Sequence, residues 1–148
     1  MQLTQFTDYA LRVLIYTAVK QDTCTITEIA NSYGISRNHL VKIVHKLGQL
    51  DVLKTVRGKQ GGITLNQAPE QINLGELVKQ IEPHFHIVEC FDADRAERCP
   101  IEPACQLKQI LYQARQNFFD TLSQYTLADI THNSSQLSQF LNIDIEVE

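Results

Sequence analysis

Two short helices joined by a tight turn are the feature that most constrains how this chain can fold. Thr25 and Glu28 have the spacing of a capping box, in which each side chain satisfies a free backbone amide at a helix start. Gly34 is placed to end that helix, because glycine readily adopts the left-handed conformation needed there. Ser36 can cap a second helix, whose apolar residues share one side: Leu40, Ile43, Val44 and Leu47. This pattern predicts a helix-turn-helix.

A basic β-hairpin is predicted directly after this motif. Residues 53–56 and 63–65 have strand-like alternation, and the segment between them holds three glycines together with Arg57 and Lys59. A helix-turn-helix followed by a hairpin with a cationic tip is typical of a winged helix. We therefore expect a fold that is mainly α with a small β-hairpin.

Further helices are predicted on both sides of the winged helix. One amphipathic helix covers residues 3–20, and Asn73 caps another that runs to about Glu82 and is stopped by Pro83. A long helix starts near Pro103 and carries an apolar stripe with steps of three and four residues, close to a coiled-coil seam. The stripe consists of Leu107, Leu111, Ala114, Phe118, Leu122 and Tyr125, with Ile110 beside it. Such a helix in a small protein favours homodimerisation over packing on its own domain.

These elements divide the chain into four parts. They are a winged helix-turn-helix domain (1–82), a loop that contains cysteines (83–103), a dimerisation helix with a short helix after it (104–131), and a tail (132–148). Thr126 and Asp129 predict the start of the short helix. The tail alternates apolar residues from Leu141 to Val147, a pattern that leaves an edge strand and a disordered end both open.

Charge is divided unevenly along the chain, and the division indicates that the front half binds a polyanion. Residues 1–66 carry eight Lys and Arg against four Asp and Glu, whereas residues 67–148 carry five against thirteen. At the start of the second helix, arginine suits guanine and asparagine suits adenine, because each can make two hydrogen bonds to one base. Lysines one and two turns later suit phosphates. The predicted DNA-binding residues are Ser36, Arg37, Asn38, His39, Lys42, Lys46, Arg57, Lys59 and Gln60.

Three of the four cysteines lie close together in the loop. Eight residues separate Cys90 from Cys99, and five separate Cys99 from Cys105. A structural zinc site usually has closer pairs and four ligands, whereas an iron–sulfur cluster accepts wider loop spacing and leaves one position to another group. The nearby candidates for that position are His84, His86, Asp92, Asp94, Glu97 and Glu102. A metal-free thiol regulator and a small iron–sulfur electron-transfer protein stay open as alternatives. Cys24 lies far from the loop and is interpreted as structural.

Other classes of protein are disfavoured by what the sequence lacks. No apolar run approaches the ~20 residues that a membrane span needs, and the first residues lack the basic and apolar regions of a secretory signal. These patterns predict a cytoplasmic protein without a membrane partner. No phosphate-cradling glycine loop and no nucleophile–base pair stands out, so we expect no enzyme activity.

Several motifs occur along the chain in a fixed order. They are Met1-Gln2-Leu3-Thr4 with Phe6-Thr7-Asp8-Tyr9, Tyr33-Gly34-Ile35-Ser36-Arg37-Asn38-His39, Val56-Arg57-Gly58-Lys59 with Gly61-Gly62-Ile63, Pro103-Ala104-Cys105 with Leu107-Lys108, and Tyr125-Thr126-Leu127-Ala128-Asp129. With these motifs the chain resembles the NsrR/IscR family of winged-helix regulators, and within it the NsrR branch. The resemblance runs from Met1 to about Ile130.

The resemblance implies a homodimeric repressor that binds an operator in double-stranded DNA. It also implies an iron–sulfur cluster held by the three loop cysteines, Cys90, Cys99 and Cys105. The fourth ligand implied is Asp8, supplied by the other subunit, and Arg12 could orient that carboxylate. The cluster is expected to be 4Fe-4S, with 2Fe-2S as the alternative.

The implied signal is nitric oxide. The IscR branch has a histidine three residues after its last cysteine, where this chain has Lys108. This departure favours a nitric-oxide sensor over a sensor of iron–sulfur supply, which stays the alternative within the same family.

Overall fold

The computed structural model describes residues 2–58 and 61–144 of the chain. These residues contain seven α-helices and one two-stranded antiparallel sheet. The helices are α1 (Gln5–Lys20), α2 (Ile26–Tyr33), α3 (Arg37–Gln49), α4 (Leu74–Ile81), α5 (Gln106–Leu122), α6 (Leu127–Thr131) and α7 (Ser134–Leu141). The strands are β1 (Leu53–Val56) and β2 (Gly62–Leu65), and one-turn 3-10 helices cover Pro69–Gln71, Glu89–Phe91 and Glu102–Ala104. The predicted class, mainly α with a small β-hairpin, is confirmed.

The helix-turn-helix consists of α2 and α3. The Glu28 amide donates to Thr25 Oγ1 (3.1 Å), and the Thr25 amide donates to the Glu28 carboxylate (2.6 Å), which completes the predicted capping box. Gly34 ends α2 with a φ of 65°, as predicted. Ser36 precedes α3 but makes no side-chain capping hydrogen bond, so the predicted capping role of its hydroxyl is wrong. The His39 amide donates to Ser36 O instead (3.1 Å). The predicted apolar side of α3 is buried, with Leu40, Ile43, Val44 and Leu47.

The wing is the hairpin of β1 and β2, in which Leu53 pairs with Leu65. A third segment joins it, because the Cys24 amide donates to Ile63 O (3.0 Å) and the Ile63 amide donates to Cys24 O (2.8 Å). This bridge fastens the wing to the connection between α1 and α2. A Cβ atom on Gly62 would lie 2.6 Å from the Cys24 carbonyl oxygen, so this close approach of two backbones requires glycine.

α1 is the central helix of the hydrophobic core. Its residues Val13 and Leu14 are completely buried, and α3, α6 and α7 pack against it. Leu127 of α6 is completely buried as well, and Leu141 and Ile143 are buried at the far end of α7. The core of the winged helix is therefore closed by residues that follow α5.

The tail contains a helix, Ser134–Leu141, where the sequence pattern predicts none. The alternation over residues 141–147, for which an edge strand and a disordered end are both open, begins at the last residue of this helix. Leu137 and Leu141 stand one helical turn apart and pack on the core, and this helical spacing outweighs the alternation of apolar residues further on. The Ser32 hydroxyl donates to Leu141 O (3.0 Å), which fixes the end of α7 beside α2. Residues 145–148 lie outside the described residues.

α5 is largely uncovered within one chain. It begins at Gln106 rather than at Pro103, because Pro103 lies in the one-turn helix Glu102–Ala104. Only Phe119 is buried among the seventeen residues of α5, all of which the structure describes. Within the described ranges, no helix is both long and apolar enough to cross a membrane.

The chain returns to the core directly after α5. The Leu127 amide donates to Ile72 O (2.9 Å), and the Leu74 amide donates to Tyr125 O (3.0 Å). The Asn73 side-chain amide also donates to Ser123 O (2.8 Å). The two ends of the segment that holds the cysteine loop and α5 are therefore joined to each other.

Gly75 allows the returning chain to pack closely against α4. A Cβ atom at position 75 would lie 2.8 Å from the Ser123 amide nitrogen. Gly75→Ala should therefore lower the free energy of unfolding by about 1–3 kcal/mol, measured by urea denaturation at fixed protein concentration. Gly48→Ala is the matched control, because Gly48 lies inside α3 with Leu53 O 3.9 Å from the added Cβ. It should raise the free energy of unfolding by about 0.5–1 kcal/mol. Equal effects of the two substitutions would contradict the close packing at Gly75.

Candidate functional site

The outward side of α3 presents most of the residues predicted to bind DNA. The exposed residues at its start are Ser36, Arg37, Asn38, His39 and Lys42. Lys46, one turn further along, is half-buried, and Arg57 is exposed directly after β1. Lys59 and Gln60 lie outside the described residues. One face of the protein thus combines groups that can read bases with groups that can bind phosphates.

Val41 is an exposed residue of α3 that the sequence pattern does not single out, because an apolar residue in an amphipathic helix is assigned to the core by default. Its exposure is 47%. It lies three residues after Asn38 and four before His45, and this spacing is the signal that places it on the outward side. An aliphatic group on such a face can contact the methyl group of thymine.

α1 and α3 are linked at their starts. A recess of about 250 Å³ lies between them, and the rings of Tyr9 and His39 approach there with centroids 6.4 Å apart. The position of α1 therefore bears directly on the first turn of the helix that carries the predicted base-reading residues.

Asp8 lies in the first turn of α1 and forms an ion pair with Arg12, whose Nη2 is 2.8 Å from Asp8 Oδ2. The Arg12 guanidinium also lies 5.6 Å and 5.8 Å from the ring centroids of Tyr9 and Tyr33, and these aromatic faces help to hold it. The side chain of Asp8 remains 47% exposed. Its carboxylate is therefore oriented by its own chain and still accessible from outside.

The cysteine loop places its thiols on or beside short turns. Cys90 lies within the one-turn helix Glu89–Phe91, Cys99 precedes the second such turn, and Cys105 stands directly before α5. All three are free and half-buried. Accessible free thiols are suited to metal ligation or redox chemistry.

Glu102 organises the second of these turns. Its Oε1 accepts hydrogen bonds from Lys108 (2.6 Å) and Arg98 (3.4 Å), and its amide donates to Cys99 O (3.0 Å). The Cys105 amide in turn donates to Glu102 O (3.3 Å). The hydrogen bond from Lys108 holds the pKa of Glu102 below its usual range. Among the described residues Glu102 Oε2 has no hydrogen-bond partner although it is buried.

The donor set fits an iron–sulfur cluster by its chemistry, because such clusters take thiolate ligands and three free cysteines share one loop. The arrangement within one chain does not form a site. In residues 2–58 and 61–144, no three His, Cys, Asp or Glu side chains are grouped closely enough to hold a metal ion. Asp8 and the loop cysteines are thus not brought together in one subunit.

Cys24 differs from the loop cysteines in its surroundings. Its side chain is buried against Thr17 and Ile63, and burial raises the pKa of Cys24 to about 11. A thiol with so high a pKa stays protonated at neutral pH and is a poor ligand or nucleophile. This environment supports the structural role expected for Cys24.

Comparison with known proteins gives consistent matches. Residues 3–133 match the Rrf2 family, described as an iron-dependent transcriptional regulator. The HTH-type transcriptional regulator NsrR of Bacillus licheniformis is 44% identical over 96% of this chain and 100% of the relative. The NsrR of Bacillus subtilis is 44% identical over 97% of this chain and 99% of the relative.

Two solved structures share the fold. IscR of T. potens superposes with a TM-score of 0.71 at 19% identity, covering 90% of this chain and 88% of that chain. CymR of B. subtilis, described as the global cysteine regulator, gives 0.67 at 22% identity, covering 90% of this chain and 98% of that chain.

Proposed function

This chain belongs to the Rrf2 family of transcriptional regulators and is of the NsrR type, and from this we propose that it is a homodimeric repressor that senses nitric oxide through an iron–sulfur cluster. The observation that carries the sensing proposal is the cysteine loop. Three free, half-buried thiols belong to that one loop, while burial raises the pKa of the fourth cysteine, Cys24, to about 11.

DNA recognition is assigned to α3 and the wing. Placed in the major groove, α3 would direct Arg37 toward guanine and Asn38 toward adenine, with Lys42 at a phosphate. Arg57 would contact the backbone or the minor groove beside it. Two such helices in a dimer would read half-sites about one helical turn of DNA, or a multiple of it, apart.

Homodimerisation is assigned to α5. Leu107 and Ile110 are 60% and 62% exposed on this helix, and they belong to the predicted apolar stripe and its edge. Isolated apolar residues on a surface are ordinary, but a contiguous stripe along a protruding helix indicates an interface. Because twofold-symmetric homodimers are the commonest assemblies of soluble proteins, we assign a second copy of the same helix as the partner of this stripe.

The cluster would be held by the three loop cysteines and by Asp8 of the partner subunit. The accessibility of Asp8 and its pairing with Arg12 support this assignment. When bound, the cluster supplies iron atoms at which nitric oxide can react. Ligation of the cluster by Asp8 would fix the position of the start of α1. Because Tyr9 of α1 contacts His39 of α3, the start of α3 would be held in place as well. Loss of the ligation by Asp8 would leave α3 free to move away from its operator-binding position.

The test combines spectroscopy with DNA binding. Anaerobically purified protein should show visible absorbance with iron and sulfide in near-stoichiometric amounts, and the spectrum would distinguish 4Fe-4S from 2Fe-2S. Nitric oxide should bleach the absorbance and weaken binding to a duplex selected from a random library. A full switch requires a change in affinity of roughly 10⁴-fold, or about 5 kcal/mol.

Substitution of the carboxylates makes the test specific. Asp8→Ala should weaken the nitric-oxide response, whereas Asp120→Ala, at an exposed position of α5, should leave it unchanged. Unchanged cluster content, affinity and response in Asp8→Ala would contradict ligation by Asp8 of the partner subunit. Colourless protein that resists reconstitution yet binds DNA would instead indicate a thiol-based regulator.

A further inference from the structure

The turn that contains Cys90 is attached to α5 by an aromatic and cationic contact. The Arg115 guanidinium on α5 lies 4.7 Å from the ring centroid of Phe91 and 5.0 Å from that of Tyr112. Phe91 and Tyr112 also meet edge to face, with centroids 6.5 Å apart. Phe91 follows Cys90 directly, so Arg115 fixes the residue next to the thiol.

The same arginine reaches the start of the loop. Arg115 Nη1 donates to Phe85 O (3.4 Å), and the Phe85 ring packs edge to face on Phe119, the buried residue of α5, with centroids 4.4 Å apart. The segment from residue 85 to residue 91 is therefore fastened to α5 at both ends.

The turn between Cys99 and Cys105 is attached to α5 by a different cation. Lys108 holds the Glu102 carboxylate, and Glu102 is bonded through its backbone to both Cys99 and Cys105. Lys108 and Arg115 are seven residues apart, so they lie on one side of α5 and about two turns, or ~10 Å, from each other.

From these contacts we propose that Lys108 and Arg115 are positioning residues, which set the two cysteine turns at a fixed separation along the dimerisation helix. An ammonium group has no lone pair to offer a metal, so Lys108 acts on the cysteines through Glu102 rather than as a ligand. Removal of either cation should release one turn and leave the other in place. The role of the two cations in holding a cluster rests on the proposed function. The two attachments to α5 do not, because they can be measured on protein without a cluster.

The first experiment is amide hydrogen exchange on the cluster-free full-length protein. Arg115→Ala should speed exchange about tenfold at the Phe91 and Asp92 amides, which donate within the first turn. Lys108→Ala should do the same at the Ala104 and Cys105 amides, which donate within the second. Each variant should leave the other turn within about twofold of the wild type. Gln113→Ala, at an exposed position of α5, is the matched control and should change neither turn.

The second experiment uses the protein as purified with its cluster. In the presence of a chelator, both alanine variants should lose their visible absorbance several times faster than the wild type. Arg115→Lys should lose it at nearly the wild-type rate, because lysine keeps a cation over the rings of Phe91 and Tyr112. Exchange that is unchanged in both variants, or that rises equally in both turns, would overturn the proposal. Unchanged cluster persistence beside localised exchange would overturn the positioning role. A wild-type protein that never holds a cluster would contradict the proposed function, and the exchange data would still decide whether the two anchors exist.

Discussion

Replacing Leu107 and Ile110 together by glutamate should convert the protein to a monomer and weaken operator binding by at least about a hundredfold. Both side chains are more than half exposed in the single chain, so the substitutions should cost the subunit little stability. In a dimer the same positions would bring four carboxylates close to a twofold axis, where desolvation and like-charge repulsion oppose assembly. A monomer holds only one half-site and loses the avidity of two linked contacts.

Sedimentation equilibrium would measure the oligomeric state, and fluorescence anisotropy at one fixed salt concentration would measure binding to the selected duplex. Gln113→Glu places a negative charge on an exposed position of α5 outside the stripe, and it should preserve both the dimer and the affinity. A double variant that remains dimeric and binds normally would show that the subunits associate through another surface.

Glu82→Ala should lower the free energy of unfolding by roughly 2–4 kcal/mol. The Glu82 carboxylate is buried at the start of α1, where it accepts hydrogen bonds from the Thr4 amide (3.1 and 3.2 Å to its two oxygens), the Thr4 hydroxyl (3.1 Å) and the Thr7 hydroxyl. Alanine would leave these donors without their acceptor, and it would remove a negative charge from the positive end of a sixteen-residue helix.

Urea denaturation at a fixed protein concentration is the appropriate measurement for Glu82, because a dimer's apparent stability depends on concentration. Glu76→Ala is the control and should cost less than about 0.5 kcal/mol. In the part of the chain that the structure describes, the Glu76 side chain pairs only with Lys79, at an exposed position of α4. Glu82→Gln keeps an acceptor and should fall between the two. A loss below about 1 kcal/mol for Glu82→Ala would contradict a stabilising role for this network.

The Glu82 network also connects two parts of the candidate site. It is the last residue before Pro83, where the cysteine loop starts, and Thr4 and Thr7 flank the first turn of α1 just before Asp8. One carboxylate therefore joins the root of the loop to the helix that carries the proposed fourth ligand.

Local signals explain why much of the fold could be predicted. The capping pairs at Thr25 and Thr126, the glycine at position 34 and the side-chain cap at Asn73 each satisfy a backbone requirement within four residues. Such requirements are visible in the sequence because the partners are close along the chain. The predicted cap at Ser36 is wrong because the His39 amide, from which the hydroxyl would accept, donates to the Ser36 carbonyl oxygen instead (3.1 Å).

Long-range contacts explain what could not be predicted. Glu82 and Thr4 are separated by 78 positions, and no periodic pattern relates them. The contact of Arg115 with Phe91 likewise depends on how the loop folds back on α5. For the candidate site, sequence reasoning found the cysteines by their clustering and reached Asp8 only through the family resemblance, because an exposed acid beside an arginine has no distinctive pattern.

The segments that precede the cysteine loop and follow α5 are hydrogen-bonded to each other, and this has a consequence for the order of folding during synthesis. Leu127, Leu141 and Ile143 fill the core around α1, so a nascent chain that has emerged only as far as β2 lacks the side chains that close its first domain. By the time these residues leave the ribosome, α5 has already been made. The core around α1 therefore closes only after α5 has been made, and a chain interrupted before α6 lacks Leu127, Leu141 and Ile143 and leaves that core open.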